Sequence, residues 1–232
     1  MIAFNFQPMD NDKDEISIQD FVQNKADLVA GNDATTADQI QVWDGTGFTI
    51  YFYRANKTTF PKWTLGPGWV KNGAVGTLTT DVVKRGYGVW FARPTDKPAG
   101  SITVSGAINA ASKTHDIMAG FNMISSAFPC DFKFNGGAID WAACGAVAGN
   151  DATTSDQIQV WDGKGFSIYF YRANKTTFPK WTLGPGWVKN GAVGTLTTDT
   201  IPAGKGFWYA RPSDKADGTL IEKSPIAPAA AE

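Results

Sequence analysis

Apolar and polar residues alternate with a period of two along much of the chain. In "QIQVW" from Gln39, Ile40 and Val42 fall on one face and Gln39, Gln41 and Trp43 on the other, which is the spacing of a strand. In "FTIYFY", Phe48, Ile50 and Phe52 point one way and Thr49, Tyr51 and Tyr53 the other. The intervening "DGTG" has glycines where a tight turn needs positive φ, so the two segments are predicted to form a β-hairpin. Further strands are predicted at "KWTL", "GTLTT", "GVWFAR" and "SITVS", and at "FNMIS" in the second half. Helical periodicity is scarce; "ISIQDFVQNKADLV" from Ile16 fits a short helix and a half-buried strand equally. Short strands between clusters of Gly, Pro, Asn and Asp predict an all-β fold, an antiparallel β-sandwich or small barrel. Aromatics on both faces of a hairpin mean either burial on both sides or a displayed aromatic surface, and burial is the commoner arrangement.

The pattern occurs twice. Residues Gly31 to Asp81 recur as Gly149 to Asp199, an offset of 118, with three differences: Ala37 against Ser155, Thr46 against Lys164 and Thr49 against Ser167. Outside that block, "RGYGVWFARP" from Arg85 answers "AGKGFWYARP" from Ala203, and "GSITVSG" from Gly100 answers "GTLIEKS" from Gly218. Two homologous β modules are therefore expected in tandem, at 1–106 and 117–224, each long enough to bury its own core. The small, polar stretch 107–116 reads as a linker, and the Pro- and Ala-rich 225–232 as a flexible tail. The opening "IAFNF" lines up with "MAGFNM" from Met118, and the first copy has no counterpart of the preceding "SKTHDI". Met1 at a module edge is what an absent upstream segment, such as an export signal, would produce.

Charge narrows the partners. Lys and Arg total 21 against 22 Asp and Glu, a net charge of −1, with no long basic run, so nucleic acid and anionic membrane surfaces are poor partners. No stretch approaches the roughly 20 apolar residues of a membrane helix, and no basic-then-apolar leader opens the chain. Cys130 and Cys144 both lie in the second copy. They could close a disulfide loop worth about 3 kcal/mol, or remain two buried free thiols. Their spacing does not suggest zinc or redox chemistry.

Candidate chemistry is sparse. His115 is the single histidine and lies in the expected linker, where solvation is the usual fate. The carboxylates Asp33, Asp38, Asp44 and Asp81 recur as Asp151, Asp156, Asp162 and Asp199. An acid and base pair of the glycosidase kind is conceivable among them, but Asp44 fits the "WDGTG" turn and Asp33 a backbone-bonded loop. Asp10, Asp12 and Asp14 alternate as in a calcium loop, without the glycine and glutamate such a loop requires, so an exposed acidic loop is the better reading. "GPGWVKNG" from Gly66 lacks the ending of a phosphate loop. Asn56-Lys57-Thr58 and Asn174-Lys175-Thr176 match the glycosylation triplet.

Tryptophan is the strongest feature. Trp43, Trp63, Trp69 and Trp90 recur as Trp161, Trp181, Trp187 and Trp208, with Trp141 in the second copy alone. Trp63 and Trp69 flank a "GPG" turn, which predicts that at least one is partly exposed. Indole faces stack on sugar C–H faces, and Lys62, Asn72 and Asp81, with Lys180, Asn190 and Asp199 beside Trp181 and Trp187, could supply polar contacts. A duplicated weak site gains avidity.

The series "AGFNMISSAFP", "ADQIQVWDGTGFTIYFYR" and "GYGVWFARP" resembles uncharacterised exported bacterial proteins built from tandem all-β modules. The resemblance implies an extracellular or cell-surface location and a modular architecture, and no chemistry. The expected function is a non-enzymatic structural or adhesive one, without cofactor and with self-association through strand edges. A cell-surface glycan bound at the two tryptophan loops is the alternative.

Overall fold

The computed structural model describes residues 1–3, 14–55, 57–59, 63–65, 67–177 and 181–225, with residue 3 and residues 57–59, 63–65, 175–177 and 181–183 described by their backbone alone. The first copy contributes β1 (Ile2–Ala3), β2 (Glu15–Ser17), β3 (Gln39–Trp43), β4 (Phe48–Arg54), β5 (Lys57–Thr59), β6 (Trp63–Leu65), β7 (Gly68–Lys71), β8 (Val82–Lys84) and β9 (Gly88–Ala92). The second contributes β10 (Lys113–Ile117), β11 (Gly120–Ser125), β12 (Phe132–Lys133), β13 (Gln157–Trp161), β14 (Phe166–Arg172), β15 (Lys175–Thr177), β16 (Trp181–Leu183), β17 (Gly186–Lys189), β18 (Thr200–Ile201), β19 (Gly206–Arg211) and β20 (Gly218–Glu222). Among the described residues the structure is all-β apart from the one-turn helix α1 (Ile18–Phe21) and a 3-10 turn at Lys25–Asp27. The ambiguous segment from Ile16 is thus split, ending β2 and then turning once under the Ser17 cap.

Each copy forms a five-stranded antiparallel sheet, ordered β1-β9-β3-β4-β7 in the first and β11-β19-β13-β14-β17 in the second. The expected hairpin is β3–β4, in which Ile40 faces Tyr51 and Trp43 faces Phe48. That register decides which face is core. Ile40, Tyr51, Tyr53 and Val89 pack inward on Ile16, Ile18, Phe21 and Trp69. In the second copy Ile158, Tyr169, Tyr171 and Phe207 pack on Phe132, Phe134, Trp141 and Trp187. Trp69 and Trp187 have no exposed surface.

Sheet edges are closed by side chains as well as strands. The Gln19 amide donates to the carbonyls of Trp69 (2.6 Å) and Thr79 (3.2 Å) and accepts from Trp69 N. Asn135 does the same to Trp187 and Thr197. One residue sits on α1 and the other in a loop, so two unrelated segments reach the same solution for satisfying the outer strand.

Four sequence expectations change, the first being that "SITVS", expected as a strand, forms none over Ser101–Ser105. "GTLTT" is a loop in both copies rather than a strand, and Leu78 and Leu196 are about two-fifths exposed while Thr79 is buried. The linker boundary falls inside β10, which pairs with β20 from Lys113↔Glu222 to Ile117↔Gly218. The alignment of "IAFNF" with "MAGFNM" shifts by five residues. Ile2 pairs with Val89 and Ala3 with Gly88, as Ile124 pairs with Phe207 and Ser125 with Gly206, so "MIA" from Met1 matches "MIS" from Met123.

The outer faces of the two sheets meet. Trp43 packs edge-on to Trp208 at 5.3 Å, and Trp161 meets Trp90 at 5.9 Å. Since Trp161 is the twin of Trp43 and Trp208 the twin of Trp90, each contact is the other with the copies exchanged, as in a two-fold dimer interface. At the centre are the twins Gly88 and Gly206. A Cβ on Gly206 would lie 3.2 Å from Gly88 Cα and 3.2 Å from Ile2 O, and one on Gly88 3.0 Å from Ile124 O. Backbone lies on both sides, so neither position has room for a side chain. Gly206→Val is expected to lower unfolding stability by about 1–3 kcal/mol through overpacking, read from the urea midpoint. Gly47→Ala, where an added Cβ meets nothing within 4 Å, is expected to change it by less than about 0.5 kcal/mol.

Candidate functional site

The residues grouped around the "GPG" turn separate in the structure. Trp69 and Trp187 lie in the cores, Trp69 against Tyr53 at 5.4 Å and Trp187 against Trp141 at 4.9 Å. This corrects the expectation that they offer stacking faces: strand β7 alternates about Trp69, which turns into the core with Phe21 and Tyr53 while Val70 packs with Ala37 and Phe52. Trp63 and Trp181 are described by backbone alone, in β6 and β16, while Lys62 and Lys180 lie outside the described residues. Asn72 and Asn190 are exposed, each bonded through its backbone N–H to Ile50 or Ile168.

Asp81 and Asp199 acquire different neighbours from those expected. Tyr51 faces Lys71 across β4 and β7, and the Tyr51 hydroxyl donates to Asp81 at 2.6 Å while Lys71 Nζ lies 3.4 Å from the same oxygen. The second copy repeats this with Tyr169, Lys189 and Asp199. The tyrosine hydrogen bond, with the lysine charge behind it, holds each carboxyl below the usual range. Burial, then the carboxylate, pushes both phenols up. A cavity of about 170 Å³ adjoins the first of these clusters, lined by Lys71, Ala74, Thr77, Leu78, Thr80 and Asp81. The tyrosine and lysine escaped sequence reading because only the strand register brings them to the aspartate.

The other repeated carboxylates are structural. Asp33 and Asp151 accept from the backbone of the threonines two and three residues on, and Asp44 and Asp162 close the hairpin turns. Asp38 and Asp156 are fully buried. Asp38 takes Val29 N and the Arg93 fork, and Asp156 takes Val147 N, the Tyr209 hydroxyl and Arg211.

The acidic run also has a structural member. Asp14 binds the Arg85 fork at 2.9 and 3.0 Å, and Lys113 and Asn109 reach it too. A carboxylate so engaged is not free to bind calcium, and Asp10 and Asp12 lie outside the described residues. Among the described residues no three His, Cys, Asp or Glu side chains gather as a metal site. Arg85 has no exposed surface and also donates to Ala127 O at 3.2 Å, so the Asp14 to Arg85 pair ties the first copy to the second.

His115 is buried, against the expectation of a solvated linker residue, because β10 pairs along its full length with β20. Its Nε2 lies 3.1 Å from Glu222, whose carboxylate also accepts from Ser126 Oγ and Ala127 N. Cys130 and Cys144 are both free thiols. Burial, with Glu222 and Asp131 nearby, pushes the Cys130 thiol up, and the Cys144 sulfur accepts from Ile221 N at 3.3 Å. A cavity of about 460 Å³ adjoins Cys130, Asp131, Phe132, Gly137, Glu222 and Lys223. Of the glycosylation triplets, Asn174 is exposed and Asn56 lies outside the described residues.

No helix among the described residues is long and apolar enough to cross a membrane. Compared with known protein families, curated proteins and solved structures, the chain finds no match in any of the three.

The Asp14 pair gives a pH dependence of known sign. The Arg85 hydrogen bond, then the Arg85 and Lys113 charges, lower the folded carboxyl below the ordinary value of 3.8. Its stabilisation is therefore complete above that value and is lost as pH falls through the lower folded one. Asp14→Asn is expected to cost about 2 kcal/mol at pH 7 by leaving the buried guanidinium without its anion. Urea unfolding at pH 7 and below pH 4 should show the gap between variant and wild type closing on acidification.

Proposed function

We propose that this chain is a non-enzymatic structural or adhesive protein, made of two homologous β modules in tandem at 1–106 and 117–224, that acts outside the cell or at its surface. The observation that carries the reading is where the repeated aromatics go. Trp69 and Trp187 fill the cores, and Trp43, Trp90, Trp161 and Trp208 pack the two sheets against each other. Side chains used in this way hold two modules in one fixed relation, which suits a protein that bears load or spaces attached groups. The repeated carboxylates serve turns and arginine forks, which also suits a scaffold. Export rests on the resemblance to secreted tandem β modules.

Glycan binding is the second reading, and one observation favours it. Asp81 and Asp199 sit about half exposed beside Lys71 and Lys189 at equivalent places in the two copies, a polar arrangement able to hold sugar hydroxyls. The experiment is display of the full chain on a non-adherent bacterial cell, scoring aggregation and retention on immobilised cell-surface material, alongside a tryptophan-fluorescence titration with soluble oligosaccharides. Retention without a saturable saccharide response is the expected result. A saturable response lost in the double variant Asp81→Ala with Asp199→Ala would replace the adhesive reading by glycan binding, and neither retention nor response would remove both.

A further inference from the structure

Asn72, Asn135 and Asn190 each precede a glycine. That dipeptide carries its own reactivity. The asparagine side chain holds an acyl carbon at the distance that closes a five-membered ring with the next backbone nitrogen, and glycine has no β-carbon to hinder that nitrogen. By sequence the three sites are alike, and the fold separates them.

Asn135 is held in place. Its Oδ1 accepts from Trp187 N at 2.9 Å, and its Nδ2 donates to Trp187 O and Thr197 O, both at 3.0 Å. An added Cβ on Gly186 would lie 3.0 Å from Oδ1, so the amide is packed as well as bonded. To turn its acyl carbon toward Gly136 it must give up all three bonds and leave the outer strand unsatisfied.

Asn72 and Asn190 are the opposite case. Both are exposed, and among the described residues neither side-chain amide has a hydrogen-bond partner. They occupy twin turns, in which Ala74 N donates to Lys71 O and Ala192 N to Lys189 O, both at 2.9 Å. Gly73 has φ of 88° and Gly191 of 86°, while no described residue other than glycine has positive φ. Asparagine and glycine therefore fill the two central positions of a type II turn. The N–H groups of Gly73 and Gly191 bond nothing among the described residues, and a Cβ added to either glycine would meet nothing within 4 Å. The peptide between the two residues can rotate, as ring closure requires, without disturbing the core.

We propose that Asn72 and Asn190 are sites of spontaneous modification, at which the folded chain converts asparagine to aspartate and isoaspartate while Asn135 is spared. The Gly73 nitrogen attacks Asn72 Cγ. A C–N bond forms, the Cγ–Nδ2 bond breaks, and ammonia leaves with the proton that the glycine nitrogen gives up. Water then opens the cyclic imide: attack at Cγ yields aspartate, and attack at the backbone carbonyl yields isoaspartate. Nothing is oxidised or reduced, and water is the one co-reactant. The same steps run at Asn190 and Gly191. Each conversion adds a negative charge next in sequence to Lys71 or Lys189, whose ammonium groups lie 3.4 and 3.6 Å from Asp81 and Asp199. Both twin polar clusters thus become more acidic as the protein ages. Isoaspartate also adds a methylene to the main chain between the bonded Lys71 and Ala74. The inference is independent of whether the protein is adhesive or binds glycans.

The test is incubation of the full chain at neutral pH, followed by digestion and mass spectrometry. Peptides 72–84 and 190–205 differ after Asp81 and Asp199, so the twin sites are read separately. Loss of the amide at Asn72 and at Asn190 is expected to run about tenfold or more faster than at Asn135, whose three hydrogen bonds gate the reaction. In denaturant the three rates are expected to converge, because the gate is the fold. The double variant Asn72→Gln with Asn190→Gln changes two exposed positions, so it should keep the parent's circular dichroism and unfolding midpoint. Its ammonia release over the same interval is expected to fall about tenfold or more. Conversion of Asn135 as fast as the other two in the folded protein overturns the proposal, as does ammonia release that the double variant leaves unchanged. Retention of the amides at 72 and 190 by the folded chain, over a time in which the denatured chain loses them, would show that the turns protect these sites and would overturn it too.

Discussion

Two glycine α-carbons facing each other across two sheets set the geometry on which the rest depends. At Gly88 and Gly206 the sheets approach backbone to backbone, and a side chain on either would meet main-chain atoms of the other copy. That approach brings the half-buried tryptophans of the outer faces into mutual contact instead of leaving them as broad apolar patches. An exchange-symmetric interface also couples the copies at the level of sequence. A change at the position shared by Trp43 and Trp161 alters a contact with the position shared by Trp90 and Trp208, so both pairs must keep matching shapes. This accounts for tryptophan at all four positions, although not for the identity of exposed loops in the repeated block.

Inside each copy the constraint is looser, and different residues meet it. The sheet presents the same inward face twice, yet Ile16, Ile18, Phe21 and Val22 cover it in one copy and Phe132, Phe134, Ile139 and Trp141 in the other. A core demands volume and apolar character more than particular residues. Main-chain hydrogen bonding demands more: Trp69 and Trp187 each have a backbone N–H and carbonyl on the outer side of the sheet, and in both cases a primary amide serves them. Gln19 and Asn135 differ in chain position and length, and converge because one amide supplies a donor and an acceptor together.

What could be read from the sequence was local. The β3–β4 hairpin follows from period-two alternation around "DGTG", and the roles of Asp33 and Asp44 follow from turn chemistry, since partners two or three residues away need no knowledge of the fold. Distant partners did not show. Tyr51 joins Lys71 and Asp81 through strand pairing, Trp69 turns inward because of what lies below the sheet, and His115 is buried because β20 returns from more than a hundred residues away. The five-residue shift of "MIA" shows the same limit: similar letters suggested one alignment, and the hydrogen-bond register to Gly88 and Val89 imposed another. "GTLTT" read as a strand from β-prone residues, but among the described residues no strand pairs with it, and propensity without a partner does not make a sheet.

The contrast between Val104 and Glu222 shows how an edge controls what a strand can carry. A carboxylate taken out of water costs several kcal/mol unless its lone pairs are met. Glu222 meets that cost with Ser126 Oγ, Ala127 N and His115, the last presented by β10. Without a strand alongside, the same carboxylate would lose one of those partners and the cover that buries it. Valine at the twin position asks only for apolar contact, and it tolerates being covered or uncovered. The polar network and the filled edge therefore belong together in the second copy, and the apolar twin needs no such network.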